Sequence, residues 1–116
     1  MAETSVYKIL SDEDWQVAQT LGYTKTALDE GDGYVHLSTR VQVFETLRLH
    51  YAGQERVRLL EYTLETFGSH VRWEESRGGQ LFPHLYGLLH LDAAKRVWAL
   101  EIGPDNVPIL PKDIDE

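Results

Sequence analysis

The chain has 116 residues, 42% of them hydrophobic, with 11 lysines and arginines against 19 acidic residues and a formal charge of −8. That is the length of one domain, enough to bury roughly two-thirds of its unfolded surface. The acidic balance argues against nonspecific binding to long nucleic acid, which needs clustered positive charge. The absence of cysteine excludes disulfides, thiolate metal sites and a cysteine nucleophile.

The N-terminus lacks a basic segment followed by an apolar run, so no signal peptide is expected. No apolar stretch approaches the roughly 20 residues that a membrane helix requires. A soluble, cytoplasmic protein is the expectation, and the lack of cysteine fits a reducing compartment. The acidic residues gather at two ends, Glu3 to Asp14 and Asp105 to Glu116. Such ends favour solubility.

Val6-Tyr7-Lys8-Ile9-Leu10 reads as a first strand. Ser11 offers an N-cap, and Asp12, Glu13 and Asp14 suit the first turn of a helix. Trp15, Ala18 and Leu21 would face the core, and Gly22 would end the helix. Thr24 to Gly33 is polar, with Asp29-Glu30-Gly31-Asp32-Gly33 as a loop. Tyr34-Val35-His36-Leu37-Ser38 predicts a second strand. Thr39 would cap a helix from about Arg40 to Ala52, with Val43, Phe44, Leu47 and Tyr51 on one face and Gly53 as its stop. Val57 to Leu64 is a long strand, broken by Thr66-Phe67-Gly68-Ser69. Val71-Arg72-Trp73-Glu74 begins another, with Trp73 turned to the core. Leu81-Phe82 and Leu85-Tyr86 form short paired segments after the Gly78-Gly79 turn. Leu91 to Ala94 makes one helical turn, and Arg96 to Ile102 the last strand. The core spans about residues 6–102, and the acidic, proline-containing tail 103–116 is expected to be extended and loosely ordered at its end. Strands outnumber helices and bunch late in the chain. The expected class is therefore α+β, with an antiparallel-rich mixed or split sheet and two main helices.

Three pieces carry candidate chemistry. In the first, His36 and Ser38 share a face if extended, and Thr39 stands beside free N–H groups where a helix begins, a place suited to a sugar hydroxyl or phosphate. The same residues also fit a cap and a hydrogen-bonded core histidine. In the second, Arg72 and Glu74 share a strand face. Arg77 follows, and Gly78-Gly79 lets a ligand approach the backbone. Arginine binds phosphate bidentately and keeps a neighbouring carboxylate ionised; a surface ion pair is the plainer alternative. In the third, His84 and Tyr86 share a face after Pro83. Histidine serves as acid or base near neutrality, and Tyr86 can stack on a ring; an aromatic cluster with Phe82 is the other option. The five histidines stand in no HxH or HExxH spacing, so no metal ligands are assigned, and a metal-assisted hydrolase built on them is a third alternative. The nucleophile elbow of serine hydrolases, the P-loop and the dinucleotide-binding glycine fingerprint are all missing.

Gly33-Tyr34-Val35-His36-Leu37-Ser38-Thr39, Trp73-Glu74-Glu75-Ser76-Arg77-Gly78-Gly79 and Phe82-Pro83-His84-Leu85-Tyr86-Gly87 resemble the signature of the bacterial domain-of-unknown-function family 952. The resemblance runs from Val6 to about Ile102. It implies a fold similar to the ADP-ribosyltransferase group, which includes the RNA 2′-phosphotransferases. There a strand-borne His-x-Ser/Thr motif grips the nicotinamide-side ribose of NAD, a pattern that His36-Leu37-Ser38 matches. The group's late glutamate has two candidates here, Glu74 and Glu101, and Tyr86 is the candidate for its stacking tyrosine. The sequence thus leads to a pocket for a small anionic, nucleotide or NAD-like ligand. His36, Ser38, Thr39, Arg72, Arg77 and Tyr86 would bind, and Glu74 and His84 would act. The reaction would be ribosyl or phosphoryl transfer without metal, with NAD or a related nucleotide as substrate; a noncatalytic anion sensor or protein-interaction module is the rival.

Overall fold

The computed structural model describes residues 4–116 except 104 and 106. Glu3 and Pro104, which belong to the acidic N-terminal stretch and the tail, lie outside the described residues, as does the side chain of Arg77. The elements are β1 (Ser5–Ser11), α1 (Asp12–Leu21), α2 (Ala27–Asp32), β2 (Val35–His36), β3 (Ser38–Thr39), α3 (Val43–His50), β4 (Arg56–Thr63), β5 (Val71–Glu75), β6 (Leu81–Leu85) and β7 (Arg96–Glu101). Short 3-10 turns occupy Leu64–His70, Arg77–Gly79 and Leu91–Ala93. The strands make two antiparallel sheets, β3-β1-β4-β7 and β2-β6-β5. The α+β class holds, with two separate sheets and a third, short helix beyond the two expected.

The large sheet is the middle layer. Along β1, Val6 and Leu10 point to one face and Tyr7 and Ile9 to the other, and all four are buried. Val6 and Leu10 pack with Leu60, Tyr62, Ala18 of α1, and Val35 and Leu85 of the small sheet. Tyr7 and Ile9 pack with Val57, Leu59, Leu100, Val43 and Leu47 of α3, and Ile114 of the tail.

α1 forms where the caps predict. Ser11 Oγ accepts from the Asp14 N–H at 3.1 Å, and Gly22 closes the helix at φ 86°, a conformation that L side chains resist. Leu21 is 41% exposed and does not join the core. α2 replaces the expected loop. Thr26 Oγ1 accepts from the Asp29 N–H at 3.1 Å, and Gly33 ends the helix at φ 82°. The segment has no apolar period to betray it; its caps and one buried ion pair hold it. Thr26→Ala is expected to cost about 1 kcal/mol in urea unfolding.

The predicted strand 34–38 divides at Leu37. Val35 and His36 pair with β6, whereas Ser38 and Thr39 pair with β1. Leu37 is buried at the crossing, and its N–H donates to the Pro83 carbonyl at 3.1 Å. α3 begins at Val43 rather than Arg40. Ahead of it, the Gln42 N–H donates to Thr39 Oγ1 at 3.3 Å and the Thr39 N–H to Gln42 Oε1 at 3.0 Å, a reciprocal capping box. Phe44 is 39% exposed, so Val43 and Leu47 alone carry the buried face of α3.

The two short segments expected around Pro83 are one strand, β6, at the centre of the small sheet. A proline there is unusual. In an antiparallel strand a residue's N–H and C=O point to the same side. Pro83 offers its carbonyl towards Leu37, so its missing N–H faces the place where the chain leaves for the other sheet. The core-facing row of the small sheet is Val35, Leu85 and Val71. Trp73, two residues further along the edge strand β5, has passed beyond the core and is 42% exposed, contrary to the buried position expected.

The tail is also a correction. Ile102 pairs with Pro108, Ile114 is buried, and Arg96 donates to the carbonyls of Asp113 at 2.6 Å and Ile114 at 3.0 Å. One guanidinium serving two carbonyls gives this stretch the fixed partners that a loose tail lacks.

Candidate functional site

The one-residue offset from the core row Val35-Leu85-Val71 generates the site. His36 pairs with His84, and His84 with Arg72, across three adjacent strands. Alternation sends this row to the face opposite the core. A cleft of about 600 Å³ lies beside it, within the size range of small-molecule sites. Lys8, Asp29, Asp32, His36, Ser38 and His84 are among the lining residues.

His36 is held from both sides. Its backbone N–H donates to Asp29 Oδ1 at 3.1 Å, and its Nδ1 lies 2.6 Å from the same oxygen. Nε2 lies 2.9 Å from Asp32 Oδ2. Asp29 in turn accepts from the buried Lys8 ammonium at 2.7 Å, and Lys8 also donates to the His36 carbonyl at 3.1 Å. Burial alone would raise the Asp29 pKa. Hydrogen bonding from His36 and the charge of Lys8 outweigh it and pull the group down to about 2. Burial depresses the Lys8 pKa, with Asp29 opposing.

A second imidazole–carboxylate pair stands next to the first. His84 Nδ1 lies 2.8 Å from Glu74 Oε1, and the Tyr86 hydroxyl donates to the same oxygen at 2.8 Å. An ionised carboxylate only accepts, so His84 Nδ1 carries the proton. These two hydrogen bonds, His84 first, hold Glu74 below the usual carboxylate range. Arg72 lies over the Tyr86 ring at 4.8 Å. The two imidazoles meet edge to face at 5.4 Å, and Tyr34 stacks on His84 at 4.1 Å while touching His36 at 4.7 Å.

The predicted residues therefore divide. His36, Ser38 and His84 line the cleft, and Glu74, Arg72 and Tyr86 gather beside His84. Ser38 is buried, with Oγ 3.4 Å from Thr46 Oγ1. Thr39 is engaged by Gln42. Arg77 has its backbone in the turn after cleft-lining Ser76, its side chain being outside the described atoms. Glu101, the other candidate glutamate, is exposed on the outer strand β7 of the large sheet. Among the described residues no group of three or more histidines and carboxylates is placed to hold a metal ion, and no helix is long and apolar enough to cross a membrane.

Sequence reasoning missed Lys8, Asp29, Asp32 and Tyr34. The signals existed. A lone lysine inside the apolar run Val6–Leu10 demands a buried partner. Thr26 and Gly33 bracket a capped helix that carries both aspartates.

These features define a small α+β domain with two antiparallel sheets and a cleft whose lining brings Asp29, Asp32, His36 and His84 together. The family model described as protein of unknown function (DUF952) matches residues 9–97, and the chain belongs to that family. It is similar to the crystal structure of protein CC0527 from Caulobacter crescentus, with TM-score 0.85 and 40% identity over 92% of this chain and 95% of that one. The solution NMR structure of CC0527 gives TM-score 0.81 and 38% identity over 95% and 96% of the two chains. No curated protein matches.

Proposed function

We propose that the cleft binds a nucleotide- or NAD-like ligand through its ribose and serves metal-independent ribosyl or phosphoryl transfer. The observation that carries this reading is that His36 and His84, paired on adjacent strands at one cleft wall, are each held by a carboxylate, Asp29 and Glu74. Each carboxylate fixes one nitrogen of its imidazole and so sets the direction of the other. His36 and Ser38 would grip hydroxyls, in the manner of the ADP-ribosyltransferase group whose His-x-Ser/Thr pattern the chain resembles. His84 would be the proton-transfer group or phosphate contact. Ionised Glu74 would orient a hydroxyl or stabilise developing positive charge. Arg72, and Arg77 by its sequence position, would neutralise phosphate, and Tyr86 would form the stacking wall.

His36→Ala is expected to weaken nucleotide binding by about tenfold or more, measured by calorimetric titration. An unchanged affinity would remove His36 from the reading. A noncatalytic sensor is the second reading, and one observation favours it: both ring nitrogens of His36 already face carboxylates. Incubation with labelled NAD separates the two. A transferase releases nicotinamide or modifies a target, whereas a sensor gains only thermal stability.

A further inference from the structure

We propose that Asp32 and His36 together read an unmodified cis-diol, so that the cleft takes ribose with free 2′- and 3′-hydroxyls and rejects a 2′-phosphate. This deepens the nucleotide reading above and rests on it. Asp32 Oδ2 and His36 Nε2 stand 2.9 Å apart at the cleft wall, and their side chains are 44% and 24% exposed. They are the accessible part of a chain whose far end, Lys8 with Asp29, is buried. Two neighbouring hydroxyls have a similar spacing. Both can donate to the Asp32 carboxylate, whose two oxygens keep free lone pairs, while His36 Nε2 holds that carboxylate in place.

The charge balance makes the pair selective. Asp29 is matched by Lys8 inside the protein. Asp32 meets only the imidazole in its described contacts, and it brings negative charge to the place where a 2′-substituent would sit. A carboxylate there accepts from a hydroxyl and repels a phosphate, whereas sites that admit 2′-phosphates place an arginine at the equivalent point. A ligand lacking the hydroxyl would leave the carboxylate without its donor. Arg72, on the far side of His84, leaves the 5′-phosphate a separate cationic partner.

Calorimetric titration of the full chain with adenosine 5′-monophosphate, its 2′-deoxy form and adenosine 2′,5′-bisphosphate tests the assignment. The monophosphate is expected to bind, the deoxy form about tenfold or more weaker, and the bisphosphate weaker still. Asp32→Asn should bring the bisphosphate and the monophosphate close to equal, while Asp32→Glu, which keeps the charge, should preserve the discrimination. Circular dichroism checks that both variants are folded. Equal binding of all three nucleotides by the parent chain, or an unchanged ratio in folded Asp32→Asn, overturns the diol assignment and leaves nucleotide binding standing. No binding by any of them overturns both. Mannose, whose 2- and 3-hydroxyls are also cis, matching the monophosphate would keep the diol chemistry and overturn the nucleotide reading.

Discussion

Replacing Asp29 with alanine is expected to destabilise the fold by about 3–5 kcal/mol, because it leaves a buried ammonium without its counter-ion. Lys8 and Asp29 are 5% and 8% exposed. The His36 carbonyl, 3.1 Å from Nζ, is a dipole and cannot replace a charge. Chemical denaturation measures the loss. Replacing both partners, Lys8→Met with Asp29→Leu, should recover most of the stability, since an apolar pair of similar volume is often as favourable as a buried ion pair. The double variant should still fail to bind nucleotide, because His36 has lost its orienting carboxylate.

Acid provides a second readout. The Asp29 carboxyl is depressed from an ordinary value of 3.8 to about 2. Its contribution is therefore complete above the unfolded value and is lost as pH falls through the folded one. A shift of that size corresponds to roughly 2 kcal/mol. The parent chain should lose this component between about pH 4 and pH 2. The Asp29→Ala variant should lack it, and identical acid limbs for the two proteins would show that the carboxyl is not held as described.

The second large effect is expected at Arg96. Glu61 is buried and accepts from Arg96 Nε at 2.6 Å, Ser5 Oγ at 2.6 Å and the Tyr7 hydroxyl at 3.3 Å. Burial pushes the Glu61 pKa up, and the hydrogen bonds from Arg96 and Ser5 bring it below normal. Arg96→Ala removes the only cation among these three donors and should clearly lower the urea midpoint, because it takes the hydrogen-bonded cation from a buried carboxylate. It also strips the tail of its two carbonyl contacts at Asp113 and Ile114. The Ile114 amide should then exchange faster with solvent than the loss of global stability alone explains. Arg96→Lys restores the charge without the planar fork. It should recover part of the stability and little of the tail protection. A tail that stays protected in Arg96→Ala would mean that Ile114 packing, the Arg40–Asp115 pair and the Trp98 hydrogen bond to Asp113 anchor it without Arg96.

What the sequence made legible follows from where its signals are local. Ser11, the acidic first turn and Gly22 are all contained within α1, so the helix could be read directly. The alternation of β7 and the length of β4 are equally local. The split at Leu37 could not be read, because 34–38 has the uniform composition of one strand. Only its separate pairing, one half with β6 and the other with β1, divides it. Trp73 misled for a related reason: alternation gives the face of a residue but not whether the core extends that far. The docked tail depends on Arg96, Trp98 and Arg40, the last of them 75 residues from its partner Asp115, a distance that no sequence window spans. At the candidate site, the histidines, Glu74 and Tyr86 stood out by residue type. Asp29 and Asp32 were hidden among acidic residues that read as solvated loop, and only the partner at Lys8 reveals their different surroundings.

The crossing at Leu37 has a mechanical consequence. Within five residues, 35–39, the backbone is stitched first into the small sheet and then into the large one. The two walls are thus one fabric at that point. Spreading them to admit a guest would mean tearing paired backbone. Adjustment to an occupant is left to side chains such as Tyr34 and Asp32, and the main-chain traces of the empty and filled forms should superpose closely.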